Sequence, residues 1–418
     1  INEKRLSKLK NVTVHNLTGL PTGQAGRQKI PASSINHQST VIIDAIFGSG
    51  LSRPIEGFVA DVVYHINKSR AEVIAIDIPS GLFSEDNTKN SFENIVKATH
   101  TFCFEVPKLA FMFPENAAYV GEWYILPIGL HKKAISEQPS SNFLVTEEAA
   151  QSIIKPRTKF SHKGNYGHAL LLAGSYGMMG AAVLASKACL RAGAGLLTTH
   201  IPKCGYEILQ AAAPEAMADV DSSEKCISDI IELSKYNAIG LGPGLGKYEE
   251  THKAVKFLIQ NATVPLVIDA DAINIIAENK TWIPFVPQNS IYTPHPKEFE
   301  RLVGKTSNSY ERNRKQIEFA KKHNVYIVLK GAHTAIACPD GSCYFNTTGN
   351  PGMATGGSGD VLTGIILGLL AQGYSSKEAS ILGVYLHGSS GDLYAFDYSH
   401  EKLIASDIIA RLGEILKF

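Results

Sequence analysis

The sequence predicts an α/β protein made of two successive domains, each built on a mainly parallel sheet. Three observations predict it. Short β-branched apolar runs alternate with longer helical patterns, a polar proline-containing break falls at residues 128–142, and 418 residues exceed what one core usually serves. In the first region TVIID at 40–44 and VIAID at 73–77 read as strands, each ending in an aspartate, with a helix over 60–69 between them. GEWYIL at 121–126 reads as another strand, and the polar tract 85–94 as a surface loop. The break carries Lys132, Lys133, Pro139, Ser140 and Ser141 and reads as a linker. From Phe143 the pattern restarts: ALLLA at 169–173, AIGL at 238–241, PLVID at 265–269 and VYIVL at 325–329 read as buried central strands. The domains expected are therefore 1–136 and 137–418.

Composition excludes several functions. A formal net charge of +1, with no basic run interleaved with aromatics, gives nucleic-acid binding no electrostatic support. The longest apolar run, at 361–370, is too short for a bilayer and is broken by Thr363 and Gly364. Six cysteines at 103, 189, 204, 226, 338 and 343 form no CxxC pair, which argues against a disulfide framework or zinc site and suits a reducing cytoplasm. Ile1 is not a methionine, and residues 1–10 form a charged, uncapped, helix-like stretch; the chain is expected to lack its true N-terminus. No secretory signal pattern opens it.

The richest segment is NPGMATGGSGD at 350–360, which runs directly into VLTGIILGLL. Glycines at 356, 357 and 359 let backbone N–H groups turn inward together, and the start of a helix adds unpaired donors and a positive dipole end. Asp360 then stands at the lip of an anion hole, placed to take a proton from a hydroxyl while the amides neutralise a transferring phosphoryl group. The competing reading is a plain glycine turn with Asp360 as helix N-cap.

Five other segments, most of them at strand ends, carry related chemistry. AGSYGMMGAA at 173–182 and GLGPGLG at 240–246 bring open backbone to the carboxyl end of a strand, where open α/β sheets bind small molecules; ordinary strand-exit turns compete. Asp269 and Asp271 suit a water-mediated magnesium site, with helix capping as the alternative. TPHPKE at 293–298 fixes His295 between two prolines as a contact residue rather than the base. LKGAHT at 329–334 offers Lys330 as a point charge and Gly331 for close backbone approach, against a lysine merely snorkelling at the surface. GxxxxGK[ST] is absent, so phosphate is not bound by a P-loop.

In the first region, DAIFGSGLSRP at 44–54 and DIPSG at 77–81 are both strand-to-loop junctions. Asp44 and Ser80 offer hard oxygen donors to an alkali cation, and the 48–54 loop with Arg53 suits a pyrophosphate; capped turns compete.

GGSGDVLTGIILGLLAQG resembles the anion-hole segment of ribokinase-like enzymes. With NPGMAT before it, the region from about 140 to 418 resembles the ADP/ATP-dependent NAD(P)H-hydrate dehydratases, and DAIFGSG plus DIPSG resembles the NAD(P)H-hydrate epimerase domain. The resemblance implies a Rossmann-like α/β domain, incomplete at its start, followed by a ribokinase-like three-layer α/β/α domain. It implies Asp360 as catalytic base, with Ala182, Gly244, His295 and Asp360 on the hydrated dinucleotide. Lys330, Gly331, Ala332, His333, Thr334 and Gly359 would hold ADP or ATP with Mg2+. In the first domain it implies Gly48, Ser49, Gly50, Leu51, Ser52, Arg53, Pro54 and Asp77 on the epimerase substrate and potassium on Asp44 and Ser80. The substrates implied are NADHX and NADPHX, with no nucleic-acid or membrane partner, and a homo-oligomer in the cytoplasm is expected. The epimerase family's NNGGDG phosphate loop has no counterpart between Ile1 and Asp44, which puts epimerisation in question. A ribokinase-like kinase for a vitamin precursor, beside a noncatalytic first module, is the alternative.

Overall fold

The computed structural model describes residues 41–416, so the charged segment 1–10 and the region upstream of β1, where a phosphate loop would fall, lie outside the described residues. The chain forms two compact units: one holds the residues up to Pro107 together with Ala118–Pro127, and the other holds Lys108–Ala117 and Ile128–Phe418.

The first unit carries four parallel strands in the order β1-β2-β3-β4: β1 (Val41–Asp44), β2 (Glu72–Ile76), β3 (His100–Phe104) and β4 (Glu122–Leu126). The expected helix appears as Gly57–Lys68, whose Val63 and Ile66 are buried with Ile55, Val73 and Val96. Pairing of Asp44 with Ala75 sets the ends of β1 and β2 level, so the loops after Asp44 and Ile76 leave the sheet side by side.

The second unit is a ten-stranded sheet with helices on both faces, in the order β5-β14-β13-β12-β11-β10-β9-β6-β7-β8. The strands are β5 (Asn142–Val145), β6 (His168–Leu172), β7 (Leu196–Ile201), β8 (Met217–Val220), β9 (Ala238–Leu241), β10 (Leu266–Ile268), β11 (Ile291–Tyr292), β12 (Tyr326–Leu329), β13 (Thr334–Ala337) and β14 (Cys343–Asn346). Among the described strands only β13 runs antiparallel to both neighbours, with Leu329 opposite Ala335 across the β12–β13 turn. Alternation along the strands divides the core. Leu171, Val267 and Val328 face one helical layer, while Leu170, Leu172, Leu266, Ile268 and Ile327 face the other. The linker reading needs correction. Residues 128–142 include a short helix, Lys132–Ser136, and end inside β5.

Behind the glycine-rich segment the chain forms the helix Ser358–Ala371, buried on nearly every side. Gly364 and Gly368 permit this, since a Cβ on either would collide with the carbonyl of Ala185 or Cys189 in the helix Met179–Arg191. Truncating the fully buried Ile365 to alanine would cost about 2–5 kcal/mol. The segment at 350–360 is thus held by the most deeply packed helix of the unit.

Candidate active site

The helix Ser358–Ala371 takes Gly357 as its N-cap, in the left-handed region at φ +87, and no side chain caps it. Asp360 is therefore not an N-cap; it lies in the first turn, and its carboxyl does no capping. Asp269 does not cap the following helix Ala270–Glu278 with its side chain either. Its two oxygens are taken across the sheet: Lys330 Nζ lies 2.8 Å from Oδ1, and Thr363 Oγ1 donates to Oδ2 at 2.7 Å. A Cβ placed on Gly359 would come within 3.3 Å of Lys330 Nζ and 3.9 Å of Asp269 Oδ2. Glycine at that position lets a charged ligand, rather than a methyl group, approach the ammonium and the first-turn amides.

The electrostatics follow from this packing. Burial, then the charge of Asp269, pushes the Asp360 carboxyl up to about 7; Lys330 opposes the rise and Asp271 adds to it. A carboxyl poised near neutrality suits a general base. Burial would pull Lys330 down, but Asp269, Glu298 and Asp360 together hold it above its ordinary value, so it stays charged. The snorkelling alternative for Lys330 is set aside by this pairing with a buried carboxylate.

The residues assigned to the nucleotide share one cavity of about 930 Å³. Lys330, Gly331, Ala332, His333, Thr334 and Gly359 line it, and so does His295. His295 is also the cap of the helix Pro296–Val303: its Nδ1 accepts from the N–H groups of Lys297 and Glu298, and the His295 backbone N–H donates to the Glu298 carboxylate at 2.9 Å. An accepting Nδ1 means a neutral ring with its hydrogen on Nε2, and burial, against the pull of Glu298, lowers the His295 pKa. Gly244 and Ala182 lie outside this cavity's lining, the first on an adjoining loop and the second in the helix that follows the neighbouring one. Ser175 Oγ donates to the Gly244 carbonyl at 2.8 Å, the Gly174 N–H to that of Pro243 at 2.9 Å, and Gly246 N–H to Asp271 at 2.9 Å. Ala182 is fully buried in the first turns of the helix Met179–Arg191, within reach of Gly174. A continuous run of contacts therefore leads from the 174–182 loop through 242–246 to the Asp269, Lys330 and Asp360 group.

The first unit brings its candidates together in the same way. Ser80 Oγ donates to Asp44 Oδ1 at 2.6 Å and Ser80 N–H to Oδ2 at 2.7 Å, while the Phe47 N–H donates to Ser80 Oγ at 2.9 Å. Burial raises the Asp44 pKa, and these hydrogen bonds oppose the rise. Gly48 comes within 3.9 Å of Asp77 Oδ2, measured from the Cβ it lacks, and Asp77 sits in the left-handed region at φ 70. Such a conformation is costly for an aspartate and is found where a side chain must be aimed at a site. Ser49, Gly50, Ser52 and Arg53 are exposed, with Leu51 and Pro54 half-buried beside them.

Ion sites can be judged by their donors. Asp44 Oδ1 and the Phe47 carbonyl oxygen both lie within hydrogen-bond distance of Ser80 Oγ, an all-oxygen set that fits an alkali cation. Among the described residues no group of three His, Cys, Asp or Glu side chains could hold a metal by itself. Magnesium would instead need nucleotide phosphate oxygens, with Asp269, Asp271 and Asp360 supplying the opposing charge, which agrees with its habit of keeping few protein ligands.

Several contributors carry no signal in the sequence that marks them as site residues. Thr363 lies inside an apolar run, and Asn346, Thr348 and His387, which also line the cavity, belong to a strand, a loop and a helix without a local motif. Only the spacing of Gly383, Gly388 and Gly391 hints that the helix Ser376–Asp397 is closely approached.

Comparison with known proteins adds to this geometry. The family model described as NAD(P)H-hydrate dehydratase matches residues 169–412, and that described as YjeF-related protein N-terminus matches residues 4–110. The bifunctional NAD(P)H-hydrate repair enzyme of Moorella thermoacetica is 38% identical over 387 residues, covering 90% of this chain and 73% of its own. The ADP-dependent (S)-NAD(P)H-hydrate dehydratase of Bacillus subtilis is 39% identical over 272 residues, 64% of this chain and 96% of its own. Among solved structures, the ADP/ATP-dependent NAD(P)H-hydrate dehydratase of Bacillus subtilis, co-crystallised with ATP/Mg2+, superposes with a TM-score of 0.57 at 35% identity, covering 66% of this chain and 97% of that one. A ribokinase-like superfamily protein of Enterococcus faecalis V583 gives 0.58 at 29% identity, over 67% and 97%. The second unit is therefore ribokinase-like.

Proposed function

The chain belongs to the family of bifunctional NAD(P)H-hydrate repair enzymes, and we propose that it returns hydrated NADH and NADPH to use through two activities on one polypeptide. Residues 137–418 would dehydrate the 6S form at the expense of ADP or ATP, and residues 1–136 would interconvert the R and S epimers. The observation that carries the dehydratase reading is the grouping of Asp360 with Lys330 and Gly359 at a helix N-terminus, the last two lining a cavity large enough for an adenine nucleotide.

Hydration places a hydroxyl on C6 of the nicotinamide ring, and hydroxide leaves poorly. Asp360 takes the hydroxyl proton as its oxygen attacks the terminal phosphorus of the nucleotide, and the P–O bond to the remaining nucleotide breaks. The first-turn amides and Lys330 hold the charge on the transferring group, and magnesium, bound through the phosphates, would neutralise more of it. The ring nitrogen lone pair then expels phosphate from C6, and loss of a C5 proton restores the dihydronicotinamide double bond. Gly244, on a loop continuous with Asp271, suits the dinucleotide side of the cleft, and Ala182 lies buried beside Gly174 at the start of the helix Met179–Arg191.

In the first unit, the Asp44–Ser80 pair would hold potassium, with the 48–54 loop and Asp77 on the substrate. All six cysteines carry free thiols, which suits a reducing compartment such as the cytoplasm. Among the described residues no helix is long and apolar enough to cross a membrane. The test is to incubate the protein with each NADHX epimer and ADP or ATP, and follow NADH and each epimer separately. Recovery of NADH only with nucleotide supports the reading. A stable phosphorylated product without NADH would overturn it in favour of a kinase.

A further inference from the structure

The helix Ser376–Asp397 is fitted closely to the loop that leads into the anion hole. Asp392 accepts hydrogen bonds from the Gly349 N–H at 2.7 Å and from Asn350 Nδ2 at 3.0 Å. A Cβ on Gly388 would collide with Thr348. One turn of this helix thus fixes the course of residues 348–350, and the next contact reaches the anion hole itself. His387 Nε2 lies 2.9 Å from the carbonyl oxygen of Ser358 and 3.2 Å from its Oγ. His387 also lines the cavity assigned to the nucleotide.

A carbonyl oxygen only accepts, so Nε2 must carry the hydrogen, and in the neutral ring Nδ1 is left as an acceptor. Burial pushes the His387 imidazole down to about 4; the Ser358 carbonyl opposes the fall and Lys330 adds to it. The ring is therefore neutral and this tautomer is the stable one. The partner it holds is consequential. Ser358 is the first residue of its helix, and its carbonyl shares a planar peptide with the Gly359 N–H. Carbonyl and N–H of one trans peptide point in opposite directions, so anchoring the Ser358 oxygen aims the Gly359 N–H out of the helix start, where it has no intrahelical partner.

We propose that His387 is a positioning residue for phosphoryl transfer, holding the Ser358–Gly359 peptide so that the Gly359 N–H faces the group that Asp360 and Lys330 surround. The inference rests on the nucleotide-dependent reading given above. It assigns His387 no proton transfer and no direct role in leaving-group chemistry. Its effect lies in the geometry of one amide, and a misplacement of about 1 Å in such a donor is enough to cost about 10²-fold in rate.

The experiment measures nucleotide-dependent recovery of NADH from (6S)-NADHX by the wild type and by His387→Leu, His387→Gln and Ser358→Ala. kcat is resolved from KM for the nucleotide. His387→Leu keeps the bulk and removes the donor, so kcat should fall about 10²-fold while KM stays within about threefold. Glutamine places its amide nitrogen near the position of Nε2, so His387→Gln should recover most of the loss. Ser358→Ala separates the two contacts of Nε2, losing the hydroxyl and keeping the carbonyl, and should cost far less than the leucine change. Unchanged kcat in His387→Leu, a glutamine variant no better than leucine, or an equal loss in Ser358→Ala would each overturn the inference. Should the leucine variant fail to fold, nitrogen-15 NMR of the wild-type imidazole decides: a protonated Nε2 is expected, and a protonated Nδ1 overturns the hydrogen bond. A wild type that recovers no NADH with nucleotide overturns the functional reading, whereas the tautomer, read on the same protein, tests the His387 bond by itself.

Discussion

Lys330 and Asp269 face each other at 2.8 Å across the end of β11, joining the carboxyl ends of β12 and β10. Asp269 is buried and Lys330 half-buried, and Asp269 is the main counter-charge of the ammonium. With both in place, the site holds a fixed ammonium and one carboxyl, Asp360, whose ionisation is poised near neutrality.

Asp360→Asn should retain nucleotide binding and lose dehydration by about 10²–10⁴-fold, the usual cost of removing a general base. The wild-type kcat/KM should rise with pH and level off above about 7, because only the ionised carboxylate accepts a proton. Near-wild-type turnover by the variant would exclude Asp360 as base.

The same variant carries a stability signature. In the folded protein Asp360 ionises near 7, against an ordinary value of 3.8, so between those limits the native state keeps a proton that the unfolded chain has released. Wild-type stability contributed by this group therefore falls as pH rises through that window. Asp360→Asn, which has nothing to ionise, should melt above the wild type at pH 8, with the gap closing toward pH 4. A variant that melts below the wild type at pH 8 and level with it at pH 4 would contradict the burial of this charge. Calorimetry at the two pH values is sufficient.

Asp269→Asn removes the largest neighbouring charge that raises Asp360 and leaves Lys330 without its main counterion. Both changes favour the ionised form of Asp360, so the acid limb of the pH profile should move to lower pH. Stability should also drop, by less than the roughly 3–5 kcal/mol that breaking a fully buried pair costs, because the half-buried Lys330 keeps some access to water. An acid limb that stays put or moves up would show that Asp269 does not act on Asp360.

Lys330→Ala should weaken use of ADP or ATP more than binding of NADHX, since Lys330 lines the cavity proposed for the nucleotide while Gly244 lies on the adjoining loop. Separate titrations of the two ligands check this. Equal losses would mean the two sides of the cleft have been exchanged.

Epimerisation should depend on potassium and fall sharply in Asp44→Ala, because Ser80 and the Phe47 loop are organised around that carboxylate. Dehydration of the S epimer should survive the change, since it belongs to the other unit. Epimer exchange with nucleotide withheld reads the first effect, and NADH recovery with nucleotide reads the second.

Sequence alone marked much of the candidate site because its chemistry sits at strand ends that carry glycine, proline and aspartate. TPHP announced a rigid histidine, and GGSGD announced an amide-rich helix start. What it could not resolve was the choice between capping and a place in the site, beside magnesium for Asp269 and as base for Asp360. That choice turns on Lys330 and Thr363, which are 61 and 94 residues away from Asp269. His387 escaped notice for a related reason: its partner is a backbone oxygen, and a backbone oxygen leaves no trace in a residue pattern. The strands β3, β5, β7, β8, β11, β13 and β14 likewise carry no such mark, since pairing within the sheet, rather than a strong local alternation, makes them strands.

The antiparallel turn between β12 and β13 constrains how this family of chains can vary. Residues 330–333 are the whole connection between Leu329 and Thr334, and β13 is hydrogen-bonded on both sides, to β12 and to β14. Adding or deleting one residue there would slip β13 by one position and turn Ile336 from one face of the sheet to the other. Side chains at 331–333 can therefore change without disturbing the register, while Lys330 stays tied to Asp269, and insertions and deletions within the turn should be purged by the sheet before selection on activity ever acts.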